Sequence, residues 1–505
     1  MTSRRAPWRL AGVLAGMAGL ATSYATAMVF TVRESPVVAV AELVIRLTPG
    51  PVAERAISVL GHFDKPVLLA GVLLLVLACF AWAGSLARRA WWCPLLVWVA
   101  LGGVGLVSVL VQRGAGPVDV LPVVVGLVTW VAVHAALTDA LHRSAQRPDL
   151  ESRERRVFLV VAGTIGVASL GIAIAGRVVG AGRRHVEASR QLLRIPGVTR
   201  KPAPPATSLG LRGVTAWQTP NEDFYRIDTA ISVPTIEPDE WSLRIHGMVD
   251  RELTLTYSQL VARQLTESWI TLNCVSNEVG GDLIGNARWS GVRIADLLEN
   301  LGVSPEADCV LQTSHDGWTC ATPLAALTDD RDAMLAVAMN GRPLPIEHGF
   351  PVRTVVPGLY GYVSATKWVV DMQVGTFADL VGYWTTRGWS AQGPVKIASR
   401  IDVPSSGDRV DVGSVAIGGV AWHQHTGIAG VEVQVDGGAW EPAELGRVPS
   451  DDTWVQWALT VDLAEGDHEV RVRATGNDGE TQTSAIARPD PDGATGWHTI
   501  QVSAS

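Results

Sequence analysis

"WITLNCVSNEVGG", Trp269 to Gly281, places one cysteine after an apolar run and before a loop rich in Gly and Asn. The run has the length and bounding signals of a buried strand, so Cys274 is predicted at the point where a strand hands over to a flexible turn. Burial as a small hydrophobe is the ordinary reason for a free thiol. A catalytic nucleophile would need a histidine base, and His315, His348, His423 and His425 are present without a recognisable spacing to it. A zinc site would need several ligands at CxxC or HExxH spacing, and neither occurs. The remaining chemistry is a single thiolate on a soft metal whose other ligands arrive with a cofactor, such as dithiolene sulfurs.

Outward from that stretch, the 505 residues divide by composition. Hydrophobic residues make up 48% of the chain and mean hydropathy is +0.22, yet most acidic residues follow residue 200. An apolar first third is therefore joined to a polar remainder. The net charge of −8 offers no basic surface for nucleic acid, and five cysteines are too few for a disulfide framework.

The spacing predicts a membrane domain over residues 1–180 with five spans, Leu10–Phe30, Val67–Leu86, Trp91–Val111, Val118–Leu137 and Val157–Gly176, each near the ~20 residues that cross the hydrocarbon. Arg4, Arg5, Arg9, Arg88, Arg89, Arg143, Arg147, Arg153, Arg155 and Arg156 fall on one side, against Arg33, Arg46, Arg55, Lys65 and Arg113 on the other. The positive-inside bias puts the N-terminus in the cytoplasm and everything after the fifth span outside the cell membrane. Arg155-Arg156-Val157-Phe158-Leu159 before an apolar run resembles a twin-arginine export signal, the route for domains that fold around a cofactor before crossing. Only His134 lies clearly within a span, where a haem would want facing histidine pairs; the bundle reads as an anchor, and no haem is expected in this chain.

Residues 181–219 are basic and then Pro-rich ("TRKPAPPATSLG"), a semi-rigid spacer. Residues 220–393 alternate short strand-like runs with helical patterns such as "SGVRIADLLENLG", in which Val292, Ile294, Leu297 and Leu298 recur at near-helical spacing, and read as a mixed α+β domain. Residues 394–505 show strand runs, among them "VGSVAIGGVAWH" and "DHEVRVRATGNDG", punctuated by Asp-Gly-Gly and Asn-Asp-Gly turns, the pattern of an all-β sandwich.

Four ordered motifs carry a resemblance. "NEDFYRID" (Asn221–Asp228), "TLNCVSN" with "NARWSGVRIADLL", "MLAVAMNGRPLPIEHGFPVRTVVPGLYGYVSATKWV" (Met334–Val369) and "GGVAWHQHTGIAGVEVQVDGGAWEPA" together are similar to the sulfite oxidase family of molybdopterin-dependent oxidoreductases. The resemblance implies a molybdopterin domain over 220–393 and an immunoglobulin-like dimerisation domain over 394–505. It implies Cys274 as the protein's thiolate on molybdenum, and Asn221, Tyr225, Arg226, Ser314, His348, Arg353, Ser364, Thr366 and Lys367 as the grip on the pterin and its phosphate. Arg226 also stands where the family faces the substrate anion, and arginine's fixed fork suits phosphate where lysine acts as a point charge. Arg288 reads either as part of a site or as a structural ion pair.

Some positions depart from the family's anion cage. Glu278-Val279-Gly280-Gly281 stands where those enzymes carry arginines, Val455 lies between Trp454 and Gln456 where they place an arginine, and Trp318 in "SHDGWTCATPL" replaces a pocket tyrosine. Arg488 is the one candidate to replace a lost cation. A substrate less anionic or larger than sulfite follows, with Trp318 as a wall of its site. The expected activity is oxygen-atom transfer on a small oxo-compound, with a methionine-sulfoxide-type reductase and a non-catalytic binding module as alternatives. The expected partners are a separate cytochrome or quinone for electron transfer and a second copy of the chain.

Overall fold

In this computed structural model, residues 6–30, 32, 35–50, 52, 55–56, 60, 63–112, 115–146, 151–179 and 182–505 are described. Arg4, Arg5, Arg33, Arg113 and Arg147 of the charge argument lie outside them. The chain forms two compact units: residues 1–188 with 230–234, and residues 189–229 with 235–505.

The first unit is helical: α1 (Ala6–Val29), α2 (Pro36–Leu47), α3 (Asp64–Leu86), α4 (Cys93–Leu110), α5 (Leu121–Gln146), α6 (Glu151–Val179) and α7 (Gly182–Leu192), which runs on into the second unit. α1 is the central post, packing on α3, α5 and α6. Small residues make this approach possible: a side chain at Gly12 would stand 2.1 Å from the Phe80 carbonyl, and one at Gly84 would stand 2.1 Å from that of Trp8. Trp130 Nε1 donates to the Gly16 carbonyl at 2.9 Å and shares a ring cluster with Phe80 and Trp98. His134 packs edge-on to Trp98, as a packing histidine should.

Among the described residues four helical stretches are long and apolar enough to cross a membrane: Ala6–Val29, Asp64–Leu86, Cys93–Leu110 and Pro117–Arg143. Four of the five expected spans correspond to these stretches. The fifth expected span, Val157–Gly176, falls within α6 (Glu151–Val179), whose described apolar stretch is Leu159–Ile174; the side chains at 157–158 and 175–176 lie outside the described residues.

The second unit begins with β1 (Ser242–Gly247), β2 (Leu253–Thr256), β3 (Thr266–Asn273), β4 (Ile284–Arg293), β5 (Cys309–Ser314), β6 (Thr319–Pro323), β7 (Met334–Met339), β8 (Arg342–Pro343), β9 (Arg353–Val355) and β10 (Val369–Gly375). One sheet has the order β2-β1-β10-β5-β6, with β1 and β10 parallel; the other runs β3-β4-β7-β8, with β9 also on β7. β7 is buried along its whole length between neighbours on both edges, which explains its unbroken apolar sequence. The helical reading of "SGVRIADLLENLG" is corrected: Val292 belongs to β4, and only Ile294–Leu298 is helical. "NARWSG" lies in β4, held on one side by β3 and on the other by β7.

The C-terminal strands are β11 (Ala398–Val403), β12 (Arg409–Val410), β13 (Gly413–Trp422), β14 (Ile428–Val435), β15 (Trp440–Pro442), β16 (Glu444–Leu445), β17 (Val455–Leu463), β18 (Gly466–Gly476) and β19 (His498–Ala504). They form sheets β11-β13-β17-β16 and β12-β19-β18-β14-β15. Alternate residues of both, including Ile417, Trp457, Val433, Val470 and Ile500, fill one apolar core, so the two sheets make a sandwich. The sandwich grips β3 directly. Thr271 N–H donates to the Asp452 carbonyl at 2.9 Å, Trp454 N–H donates to Thr271 Oγ1 at 2.8 Å, and the indoles of Trp217 and Trp454 each donate to the other's carbonyl.

Candidate functional site

Cys274 is the first residue beyond β3 and is 9% exposed. Its N–H donates to the Leu283 carbonyl at 2.9 Å and its own carbonyl accepts from Asn277 N–H at 3.1 Å. Asn277 Oδ1 in turn accepts from Leu283 N–H at 2.9 Å. These bonds close the loop between β3 and β4 around the thiol, with Gly280 in the left-handed conformation at φ +78°. Burial pushes the thiol's pKa up, opposed by hydrogen bonds from Ser276, so without a metal the group stays protonated. Asn273, just before it, is 2% exposed, and its Oδ1 has no hydrogen-bond partner among the described residues.

Two phenols face the thiol. Burial raises the pKa of Tyr225, and Cys274 adds to the rise. Tyr360 is pushed up to about 12, first by burial and also by Cys274. A side chain at Gly361 would lie 3.9 Å from both Tyr225 Oη and the Asn273 carbonyl, which places the "VPGLYG" loop beside the thiol. Phe224 stacks on Tyr225 at 5.2 Å and meets the rings of Trp289 and His348 edge-on at 5.7 and 5.6 Å. "NEDFYRID" is thereby seated against the long motif around His348.

The cations of that motif differ in their surroundings. Arg353 is 5% exposed and lies 5.0 Å from the centre of the Trp289 ring; it donates at 3.3 Å to the carbonyls of Thr354 and His348. No carboxylate pairs with it among the described residues, and burial lowers its pKa to about 10. Lys367 Nζ donates to Asp228 Oδ2 at 2.7 Å and to the Glu347 carbonyl at 3.2 Å, and burial lowers its pKa to about 8 against the pull of Asp228. Asp228 also accepts from Arg226 Nε at 3.0 Å, and the Arg226 side chain is 44% exposed. His348 falls to about 3, chiefly by burial and then by Arg353 and Lys367, so its ring is neutral at ordinary pH. Asn221 Oδ1 accepts from Asn340 at 2.8 Å. A cavity of about 910 Å³ opens over Asn221, Phe224, Arg226 and His348, and its outer wall adds Arg190 and Arg194.

Asn221, Tyr225, Arg226, Cys274, His348, Arg353 and Lys367 are therefore brought together. Ser364 and Thr366 are fully buried with their hydroxyls engaged inside the protein, Ser364 Oγ donating to the Tyr360 carbonyl at 2.9 Å and Thr366 Oγ1 lying 3.2 Å from Cys320 Sγ. They hold the loop's shape. Ser314 pairs with Trp318 across the β5–β6 turn, and among the described residues no hydrogen bond or ring contact ties Trp318 to the Cys274 cluster. Arg288 is a structural ion pair: it meets Glu267 and donates to the Thr199 carbonyl at 3.0 Å. Arg488 is a surface residue, 80% exposed beside Asp490. Three residues escaped the sequence reading: Tyr360, Asp228 and Arg400. Arg400 reaches from β11 to donate to the Gly281 carbonyl at 2.7 Å while pairing with Asp402. "NEDFYRID" carries Asp228 in plain view as the counter-charge to a nearby arginine, but its bond to Lys367, 139 positions away, leaves no local trace.

Residues 230–384 match the family described as oxidoreductase molybdopterin binding domain. The uncharacterized oxidoreductase YuiH of Bacillus subtilis is 36% identical over 154 residues, which cover 30% of this chain and 74% of that protein. The chain belongs to the sulfite oxidase family of molybdopterin-dependent oxidoreductases. Human mitochondrial sulfite oxidase is 29% identical over 301 residues, 50% of this chain and 55% of that one; the chain spans about half the length of this relative. In fold, the sulfane dehydrogenase SoxCD from Paracoccus pantotrophus superposes with a TM-score of 0.51 at 23% identity, covering 63% of this chain and 89% of that one.

Proposed function

We propose that this is a membrane-anchored enzyme with its catalytic unit outside the cell, which transfers an oxygen atom to or from a small oxo-compound other than sulfite. The observation that carries the cofactor assignment is Arg353: a guanidinium buried without a carboxylate is tolerated where an anion completes it. The chain's residues fit the molybdenum cofactor on that ground and on a second, the orphaned Oδ1 of Asn273 beside Cys274. Arg353, Lys367 and neutral His348 would hold the phosphate end, Tyr225 and Asn221 the pterin, and Cys274 the metal, whose charge would favour the thiolate over the thiol that burial otherwise retains. The bound cofactor supplies the two-electron redox change.

The rest of the work falls to the chain. In the oxidising direction the substrate gains an oxygen from water, and two protons and two electrons leave, the electrons to a separate cytochrome or quinone. Closely set backbone around Gly361 and the Tyr225 and Tyr360 rings excludes water from the thiol side. Cation supply argues against sulfite: Glu278 is exposed after the cysteine, Val455 is buried in the sandwich, Arg226 is held by Asp228, and Arg400 is held by Asp402. A small dianion stripped of water needs several charge-assisted donors. The reverse direction, reduction of a sulfoxide, uses the same site.

The membrane reading rests on the four apolar helices and on the side-to-side arginine bias. Export in folded form rests on Arg155-Arg156 opening α6, and the dimer on the resemblance of the sandwich. Assaying the purified, molybdenum-loaded protein on sulfite, dimethyl sulfoxide and methionyl sulfoxide tests the substrate reading. Turnover on a sulfoxide with weak activity on sulfite supports it; efficient sulfite oxidation at low KM overturns it.

A further inference from the structure

The end of β13 and the residues after it carry a row of buried polar atoms without partners among the described residues: Trp422 Nε1, His423 Nδ1 and both amide atoms of Gln424. His423 is 9% exposed. One of its ring nitrogens and one carboxylate oxygen each from Asp478 and Glu480 all lie within 4.8 Å of one another, yet no hydrogen bond or ion pair joins the ring to either acid among the described residues. The acids are fixed by the turn that follows β18: Glu480 N–H donates to Asp478 Oδ1 at 3.0 Å and Gly476 N–H donates to the Glu480 carbonyl at 2.8 Å. Gly476 keeps the gap open, since a side chain there would stand 2.6 Å from Asp478 Oδ1 and 2.7 Å from His423 Nδ1.

We propose that His423, Asp478 and Glu480 form a site for a divalent transition-metal ion, represented by zinc. One imidazole nitrogen and two carboxylate oxygens are zinc donors at bond lengths of ~2.0–2.2 Å, so the donors of a tetrahedral site stand roughly 3.4 Å apart, inside the 4.8 Å that bounds these three atoms. The buried, unpartnered Nδ1 is the atom such an ion would satisfy. A second histidine-acid group nearby, Asp329, Asp330 and His425, lacks this feature, because His425 pairs with Asp452 at 3.1 Å and Asp329 with Arg331 at 2.8 Å.

The placement gives the ion a task. β13 belongs to one sheet of the sandwich and β18 to the other, so the ion clips the two sheets together at one end. The adjoining residues Gln424 and His425 pack on Gly358, in the loop that carries Tyr360 and Gly361 to the Cys274 thiol. The ion would thus steady the sandwich edge that backs the redox site.

The test uses the full chain in detergent, stripped with a chelator and dialysed against zinc alone, with zinc and molybdenum counted separately. The expected result is one zinc per chain and a thermal midpoint that rises with zinc. His423→Ala and Glu480→Gln should each weaken zinc binding by at least about tenfold, the loss that even an outer partner of a metal ligand causes, while Asp329→Asn binds as the parent does. Glu480→Gln preserves side-chain size, so its unchanged molybdenum content separates lost ligation from lost folding. Absence of stoichiometric zinc in the parent, or unchanged zinc affinity in Glu480→Gln, overturns the proposal.

Discussion

Arg353→Met should move cofactor retention and apo-protein stability in opposite directions. Burial lowers the Arg353 pKa from 12.5 to about 10, which at ~1.36 kcal/mol per pH unit is a cost of roughly 3 kcal/mol for holding the charge in the folded, cofactor-free protein. Methionine removes that cost and keeps much of the volume. It also forfeits the contact with Trp289 at 5.0 Å and two carbonyl hydrogen bonds at 3.3 Å, together worth about 1–2 kcal/mol. The apo variant should be as stable as the parent or more so by ~1–2 kcal/mol, a midpoint change of a few degrees. With the charge-assisted donors gone, molybdenum content after purification should fall by about tenfold or more. The assay is thermal unfolding of the apo forms beside metal analysis of the loaded forms. If Arg353→Met lowers apo stability by more than ~2 kcal/mol while molybdenum content is kept, Arg353 is a packing residue and the phosphate reading fails.

Two further outcomes follow from the same geometry, and a third tests the place of Trp318, which rests on the sequence resemblance. His348 has a folded pKa of about 3 against 6.5 unfolded, so it contributes stability above pH 6.5 that is lost as the pH falls toward 3, up to roughly 5 kcal/mol; His348→Gln should flatten that part of the apo protein's stability curve, and an unchanged slope would show that the ring titrates normally. Asp228→Asn removes the carboxylate that raises Lys367 above the effect of burial, so Lys367 should lose its proton at lower pH than in the parent and cofactor retention should fall several-fold between pH 6 and 8; equal retention at both would refute the pairing. Trp318→Ala should change the ratio of kcat/KM for a bulky sulfoxide over sulfite by about tenfold with molybdenum content unchanged, and a constant ratio would remove Trp318 from the substrate site.

Local patterns made much of this legible. The strand before Cys274, the continuous apolar β7 and the turn-punctuated sandwich each follow from alternation or burial over a few residues. The four motifs of the resemblance place Cys274, Tyr225, His348, Arg353 and Lys367 in one neighbourhood, as the structure does. What the sequence hid are long-range relations. Arg288 resembles a site arginine until Thr199 and Glu267 surround it, and Arg400 joins the cysteine loop from 119 positions away. The helical spacing of Val292 to Leu298 misled because a strand held on both edges overrides local periodicity.

The central claim is that Cys274 is the chain's single bond to molybdenum, and the direct measurement is the metal's sulfur coordination by X-ray absorption, read beside molybdenum content and turnover, in the parent and in Cys274→Ser. The account expects about one molybdenum per chain in the parent, and in the variant one fewer sulfur neighbour with turnover abolished. A variant that keeps both the sulfur count and the turnover would contradict it.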